Sequence, residues 1–305
     1  MGSTPLPPAK QGRKLIDAKK IVSKKVMNEI IEIKQAELLG AINRAEVDMQ
    51  IATAKQYPRR LLDVLNQIET YATMDTETAE DCFYALRRGE GNVIEGLSVR
   101  MAEIIAGAWG NMRVQTRIIG NDGKTITAQG VCHDLETNVA ISVEVKRRIT
   151  DKYGKTYSED MQVVTGNAAS AIAFRNAVLK IVPKAVTKRV IENVKQVALG
   201  KAIDLETSRQ NALANYAKAS VSEAIIYEYL GITKREEIDK EKLFTLKATW
   251  NAIKEGTTTI EEEFLKPAKE RQAAKEAEKK TDDAKSKVES AMNKSTADPQ
   301  QKILL

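Results

Sequence analysis

The sequence predicts an α+β fold, an antiparallel β-meander packed on helices with helical N-terminal and C-terminal regions. Three observations carry this. Between residues 112 and 164, four short β-branched segments (MRVQTRII, TITAQGVCHDL, VAISVEVKRRI and TYSEDMQVV) alternate with the turn-forming stretches GNDGK, ETN and TDKYGK. Before and after them, apolar residues recur at helical spacing. The stretch TGNAASAIAFRNAVLK then sets Ala168, Ala169, Ala171 and Ala173 where a helix can lie close on the sheet.

In chain order, Lys14 to about Ala54 follows a Pro-containing arm. It carries Leu15, Val22, Val26, Ile30, Leu38, Ile42 and Ile51 at helical spacing, which predicts one long helix or two broken at Gly40. Tyr57-Pro58 ends it. RRLLDVLNQIETYATM and TAEDCFYALRR read as two further helices. GEGNVIEGL reads as a Gly-punctuated loop, and Ser98 as the N-cap of a helix closing at Gly110. Trp109 at its end is expected to anchor the core.

Parity assigns the faces of the meander. Val139, Ile141, Val143 and Val145 point to the core, while Ser142, Glu144, Lys146 and Arg148 point to water; Arg113, Gln115 and Arg117 follow the same polar-outside rule. Thr165 or Asn167 is the expected cap of the next helix, with Ile172, Leu179 and Val182 on its buried stripe. Arg175 and Lys180 are expected off that stripe. Pro183 kinks or interrupts the helix before Lys184, Lys188 and Arg189; Lys180, Lys184 and Lys188 form a cationic row if helical geometry resumes. Beyond Gly200 a small helical region is expected around Tyr227, Tyr229, Leu230, Phe244, Leu246 and Trp250. From Lys266 to Gln301 the composition predicts a solvated single helix fading to a charged, disordered tail that ends in the apolar tip KILL. The expected divisions are 1–55, 56–200, 201–265 and 266–305.

Charge narrows the function. The net charge is +6, yet from Lys146 to Lys201 there are twelve Lys/Arg against four Asp/Glu, an excess larger than that of the whole chain. Such a segment suits a polyanion. Tyr153 and Tyr157 beside these cations suit the stacking of single-stranded bases. No Gly-rich phosphate loop occurs, and the sole histidine, His133, makes a two-histidine metal site impossible within the chain. Cys82 and Cys132 read as buried thiols. Glu261, Glu262 and Glu263 read as a solvated first helical turn. Glu144, Glu159 and Asp160, if on neighbouring strands, are the candidates for a metal-dependent nuclease. A scaffold protein of a phage-like assembly is the third class. No cofactor is expected. The absence of a long apolar run and of a signal-like N-terminus gives the expectation of a cytoplasmic protein with no membrane contact.

A helix, then MRVQTRIIGNDGKTITAQGVCHDLETNVAISVEVKRRI as a meander, then NAASAIAFRNAVLKIVPKA as a close-packed cationic helix resembles the core of the single-strand annealing proteins. These are the phage recombinases of the RecT, Red-beta and ERF type and their eukaryotic Rad-type relatives. The resemblance covers about Tyr57 to Gly200. It implies ATP-independent binding of single-stranded DNA and annealing of complementary strands through a duplex intermediate, by a homo-oligomeric ring or helical filament. It also implies an exonuclease and a single-strand-binding protein as partners. Carried onto this chain, Arg175 and Lys180 are the expected backbone contacts, followed by Lys146, Arg148, Lys152 and Lys155, with Arg100, Lys184 and Lys188 completing the set.

Overall fold

The computed structural model describes residues 11–88, 92–200 and 205–273. The N-terminal arm, and the tail beyond 273 with its KILL tip, lie outside the described residues. The chain divides into two units, residues 1–58 with 135–138, and residues 59–134 with 139–305. In the first, α1 (Gln11–Gln56) runs through Gly40 without a break.

The second unit begins with α2 (Leu61–Ala72), which buries Val64, Ile68 and Ala72 at four-residue steps. In α3 (Thr76–Asp81) the Asp75 carboxylate accepts the Thr78 N–H at the N-terminus. TAEDCFYALRR is therefore only half helical, because Phe83–Arg88 forms β1, paired antiparallel with β2 (Asn92–Leu97) in the register Phe83↔Leu97. Neither strand is legible in the sequence. Phe83 and Ala85 are buried, and Phe83 meets Phe244 edge-on at 5.3 Å between ring centroids. That packing against α9 (Lys240–Lys254) overrides the helix preference of Ala, Leu and Arg.

Ser98 caps α4 (Val99–Trp109) by accepting the Met101 N–H, and Gly110 ends it at φ 64°, as expected. Trp109 is buried, donating from Nε1 to Asp134 Oδ2 at 3.3 Å, with the Arg59 guanidinium 4.8 Å over its ring and doubly bonded to Asp134 at 2.5 and 2.6 Å.

The meander has three strands, β3 (Met112–Asn121), β4 (Thr125–Asp134) and β5 (Val139–Arg148), in that spatial order. TYSEDMQVV is no fourth strand. Thr156 makes an isolated bridge to Thr150, and Ser158 then caps α5 (Glu159–Ile181) by accepting the Met161 N–H, well before Thr165. A hydroxyl followed by two acids satisfies and charges a helix N-terminus, and this outweighs the β-branched pair Val163-Val164.

Helix α5 lies on the inner face of the sheet. A Cβ on Gly130 would stand 2.4 Å from the Ala173 carbonyl oxygen, and one on Gly166 would stand 3.0 Å from Ile126 Cδ1. The expected close approach is thus real, and both partners supply it. Pro183 interrupts the helix, and α6 (Lys184–Ala198) follows with Thr187, Val190, Val194 and Ala198 buried.

A second core joins α7 (Leu205–Lys218), α8 (Glu223–Leu230), a 3₁₀ turn (Arg235–Glu237), part of α9 and a π turn (Glu261–Leu265) that continues as helix over 266–273. Tyr216, Tyr229 and Phe264 cluster there. Leu246, Tyr227, Leu230 and Trp250 take part as expected, whereas Phe244 turns to the first core. Glu263 is not solvated: it is buried, accepting the Arg87 and Thr258 hydrogen bonds, and burial raises its carboxyl pKa. Among the described residues no helix is long and apolar enough to cross a membrane.

Candidate nucleic-acid interface

An antiparallel sheet with a helix on one face can leave the other face to water. Here the inner residues Ile126, Ala128, Gly130, Cys132 and Asp134 of β4 are buried, and the alternate residues are not. The register sets the outer face in rows: Arg113–His133–Ala140, Gln115–Val131–Ser142, Arg117–Gln129–Glu144, Thr127–Lys146 and Thr125–Arg148. Arg113, Arg117, Lys146 and Arg148 thus share one face, with Glu144 the acid among them. Glu144 and Arg117 lie two strands apart, about 10 Å between backbones, and make no ion pair with each other among the described residues. Arg117, Lys146 and Arg148 are exposed and have no carboxylate partner among the described residues.

The cationic face continues at one end of the sheet. Ile149 N–H donates to the Lys124 carbonyl at 2.8 Å and Thr156 Oγ1 to the Gly123 carbonyl at 2.8 Å, tying the loop over 150–157 to the β3–β4 turn. Lys124, Lys152 and Lys155 gather there with Arg148. Tyr153 is 82% exposed, with Lys152 Nζ 5.0 Å from its ring centroid. The acids of these turns are tied to their own backbone. Asp151 Oδ1 accepts the Tyr153 and Lys155 N–H groups at 2.8 and 2.9 Å, and Asp122 Oδ1 those of Lys124 and Thr125 at 2.8 and 2.6 Å.

Those bonds, from Thr125 first, lower the Asp122 carboxyl from 3.8 to about 2. A folded-state value below the unfolded one gives a contribution present above the unfolded pKa and lost as pH falls through the folded one. The turn holding Lys124 is therefore expected to stay closed down to about pH 4 and to loosen toward pH 2. An NMR titration following the Thr125 amide reads this; a midpoint near the ordinary Asp value would contradict it.

The expected site residues fall into two groups that the fold does not bring together. Lys146, Arg148, Lys152 and Lys155 belong to the outer face and its end. Along α5, Gly166 lies by Ile126, Ala173 by Gly130, and Ala177 and Val178 share the core with Cys132. Lys180 therefore stands toward the opposite end of β4 from Lys146 and Arg148, on the helix side of the sheet. Lys184 and Lys188 are exposed on α6, with Lys188 3.8 Å from Glu192. Pro183 separates them from Lys180, so the expected three-lysine row is not continuous. Arg100 is exposed on α4 and paired with Glu103 at 2.6 Å, a bond that raises its pKa.

Arg175 is the clear correction. It is 6% exposed, its guanidinium lies 4.5 Å over the Tyr84 ring, and Nη1 is 3.9 Å from Glu255 Oε2. Helix α5 is covered on two sides, by the sheet along Ala169, Ala173 and Ala177 and by neighbouring elements along Ile172 and Arg175. A position off one stripe is thus on another. Burial raises the Glu255 carboxyl pKa, opposed by the Val99 N–H bond and by Arg175. Arg175→Met is expected to cost about 3 kcal/mol, the low end for a buried pair, by leaving that carboxylate buried without its cation. Urea unfolding measures the loss; a changed salt dependence of oligonucleotide binding at unchanged stability would return Arg175 to the interface.

No family model, curated protein or solved structure matches the chain.

Arg113, Arg117 and Lys124, which are not among the site residues expected from the sequence, belong to the same cationic surface. Strand parity carried the signal for both arginines, since they alternate with Val114 and Thr116 as Lys146 and Arg148 alternate with Val145 and Arg147. The nuclease alternative loses its geometric premise. Glu144 is on the outer face of β5, while Glu159 and Asp160 occupy the first turn of α5 rather than a strand. Among the described residues no three His, Cys, Asp or Glu side chains group to hold a metal ion. Cys82 and Cys132 are buried free thiols, each pushed up to about 12 by burial.

Proposed function

We propose that the chain binds single-stranded DNA along the open face of its meander and anneals complementary strands without ATP, as a homo-oligomer. The observation that carries this reading is one sheet face with Arg113, Arg117, Lys146 and Arg148, extended by Lys124, Lys152, Lys155 and exposed Tyr153 at its end. Flexible cations at strand spacing neutralise a sugar-phosphate backbone without reading sequence. The side chains between them are mostly polar, Gln115, Gln129, Thr127 and Ser142, with Val131 and Ala140 the small apolar members, so hydrogen bonding outweighs any apolar bed for bases. The backbone then lies on the cationic floor, with the bases turned outward for a complement. Tyr153 at the end of the face offers a ring for a terminal base to stack on.

The test is fluorescence anisotropy of a labelled oligonucleotide between about 50 and 200 mM salt, with annealing of two complementary labelled strands followed by energy transfer in the absence of nucleotide. Binding that weakens steeply with salt, together with accelerated annealing, is the expected result. Absence of binding at low salt would overturn the reading, and binding without acceleration would reduce it to a single-strand-binding role.

A further inference from the structure

Helix α1 carries an apolar stripe whose large side chains are exposed. Ile31 is 48% exposed, Leu38 62%, Ile42 46% and Met49 67%. With Gln35, Ala45 and Ala52 these residues fall at steps of four and three, the spacing of a heptad repeat kept for about three turns of the pattern. A helix of 46 residues gains most of its stability from a packed face. Helices α4 and α6 to α9 bury their large apolar residues in the two cores, whereas α2 leaves Leu61, Leu62 and Tyr71 exposed and α5 leaves Met161, Val163 and Val164 exposed in its first two turns. Those exposed groups are short, whereas the stripe of α1 keeps heptad spacing from residue 31 to residue 52, and that spacing is the complement it calls for.

We propose that α1 pairs with α1 of a second copy of this chain, antiparallel, about a twofold axis near Gly40 and Ala41. In that register Leu38 packs against Ile42 of the other copy, Ile31 against Met49, and Gln35 against Ala45, so large side chains meet smaller or flexible ones. An in-register parallel pair instead sets Ala45 on Ala45 and Gln35 on Gln35, leaving a gap at one layer and stacked amides at another. The antiparallel register also brings Lys34 beside Asp48 of the other copy at both ends, whereas the parallel one offers them Leu39 and Thr53. It sets Glu32 near Glu46 of the other copy as well, a repulsion that salt screens. The pairing stands apart from the nucleic-acid reading, since α1 supplies none of the sheet-face cations.

Sedimentation equilibrium on the full chain tests it. The protein is expected to associate, and Leu38→Asp with Ile42→Asp to raise the dissociation constant at least about 100-fold while the near-ultraviolet signal of the two cores is retained, because neither side chain belongs to them. A monomeric wild-type chain, or a double variant that associates as before, overturns the proposal. Paired cysteines fix the direction: Leu38→Cys with Ile42→Cys is expected to form a 38-to-42 disulfide between copies on mild oxidation, while either single variant stays unlinked. Cys82 and Cys132, buried, stay out of the exchange. A 38-to-38 link would overturn the antiparallel register.

Discussion

Replacing Arg117, Lys146 and Arg148 together by glutamate is expected to abolish oligonucleotide binding at moderate salt, with a loss of about 100-fold or more even at low salt. The three side chains share the outer face of the meander, are exposed, and have no acid partner among the described residues. Their removal should therefore cost little stability and much affinity. Replacement by alanine gives the milder and more diagnostic result. On single strands each phosphate contact contributes about 0.7 to the slope of log affinity against log salt, so three lost contacts should lower that slope by about 2. The matched control is Lys180→Ala with Lys184→Ala and Lys188→Ala, which removes the same charge from the helix side and is expected to leave the slope nearly unchanged. If the helix triple lowers the slope and the sheet triple does not, the strand lies on the helix side of the sheet rather than on its open face. Equal reductions would mean that bulk charge, rather than a placed surface, attracts the DNA.

The contrast between those two triples marks what the sequence could disclose. Period-two alternation over Met112 to Arg148 identified three strands and their wet face, because in an open antiparallel sheet the face of each side chain depends on local parity; parity does not say how far the covering helix reaches, and Val139, expected in the core, is 50% exposed at the strand end. Ser98 and Gly110 were legible for the same reason, since a cap is a local hydrogen bond and a local backbone angle. Arg175 was not, because whether a helix is covered on one side or two depends on Tyr84 and Glu255, many residues away. The β1–β2 hairpin escaped for a similar reason: FYALRR has no strand signal of its own and is held extended by pairing with β2 and by Phe244. The convergence of Lys180 with Lys146 also looked natural along the chain. A helix that runs back beneath the sheet carries Lys180 toward the far end of β4, and only the pairing of Gly166 with Ile126 and of Ala173 with Gly130 makes that direction visible.

That contact between helix and sheet gives the second large effect. Gly130→Val is expected to destabilise the protein by more than about 4 kcal/mol, a large part of the 5–15 kcal/mol typical of a whole domain. Inserting methyl groups into a core usually costs about 1–3 kcal/mol, because side chains can shift to make room. At Gly130 the obstacle is backbone: a Cβ would stand 2.4 Å from the Ala173 carbonyl oxygen and 2.6 Å from its carbon. Neither atom can rotate away, so α5 must lift from β4, and the seal over Ala128, Ala169 and Ala173 opens with it. Even Gly130→Ala should cost about 2–3 kcal/mol. Gly120 on β3 supplies the control on the same sheet, since its nearest obstacle is the Thr127 side chain at 3.9 Å and Gly120→Ala should be nearly neutral. Urea midpoints for the three variants decide the matter. A Gly130→Ala midpoint equal to that of Gly120→Ala would mean that the helix does not rest on the sheet at this point. The outer cationic face would then have lost the rigid support that holds its rows in register.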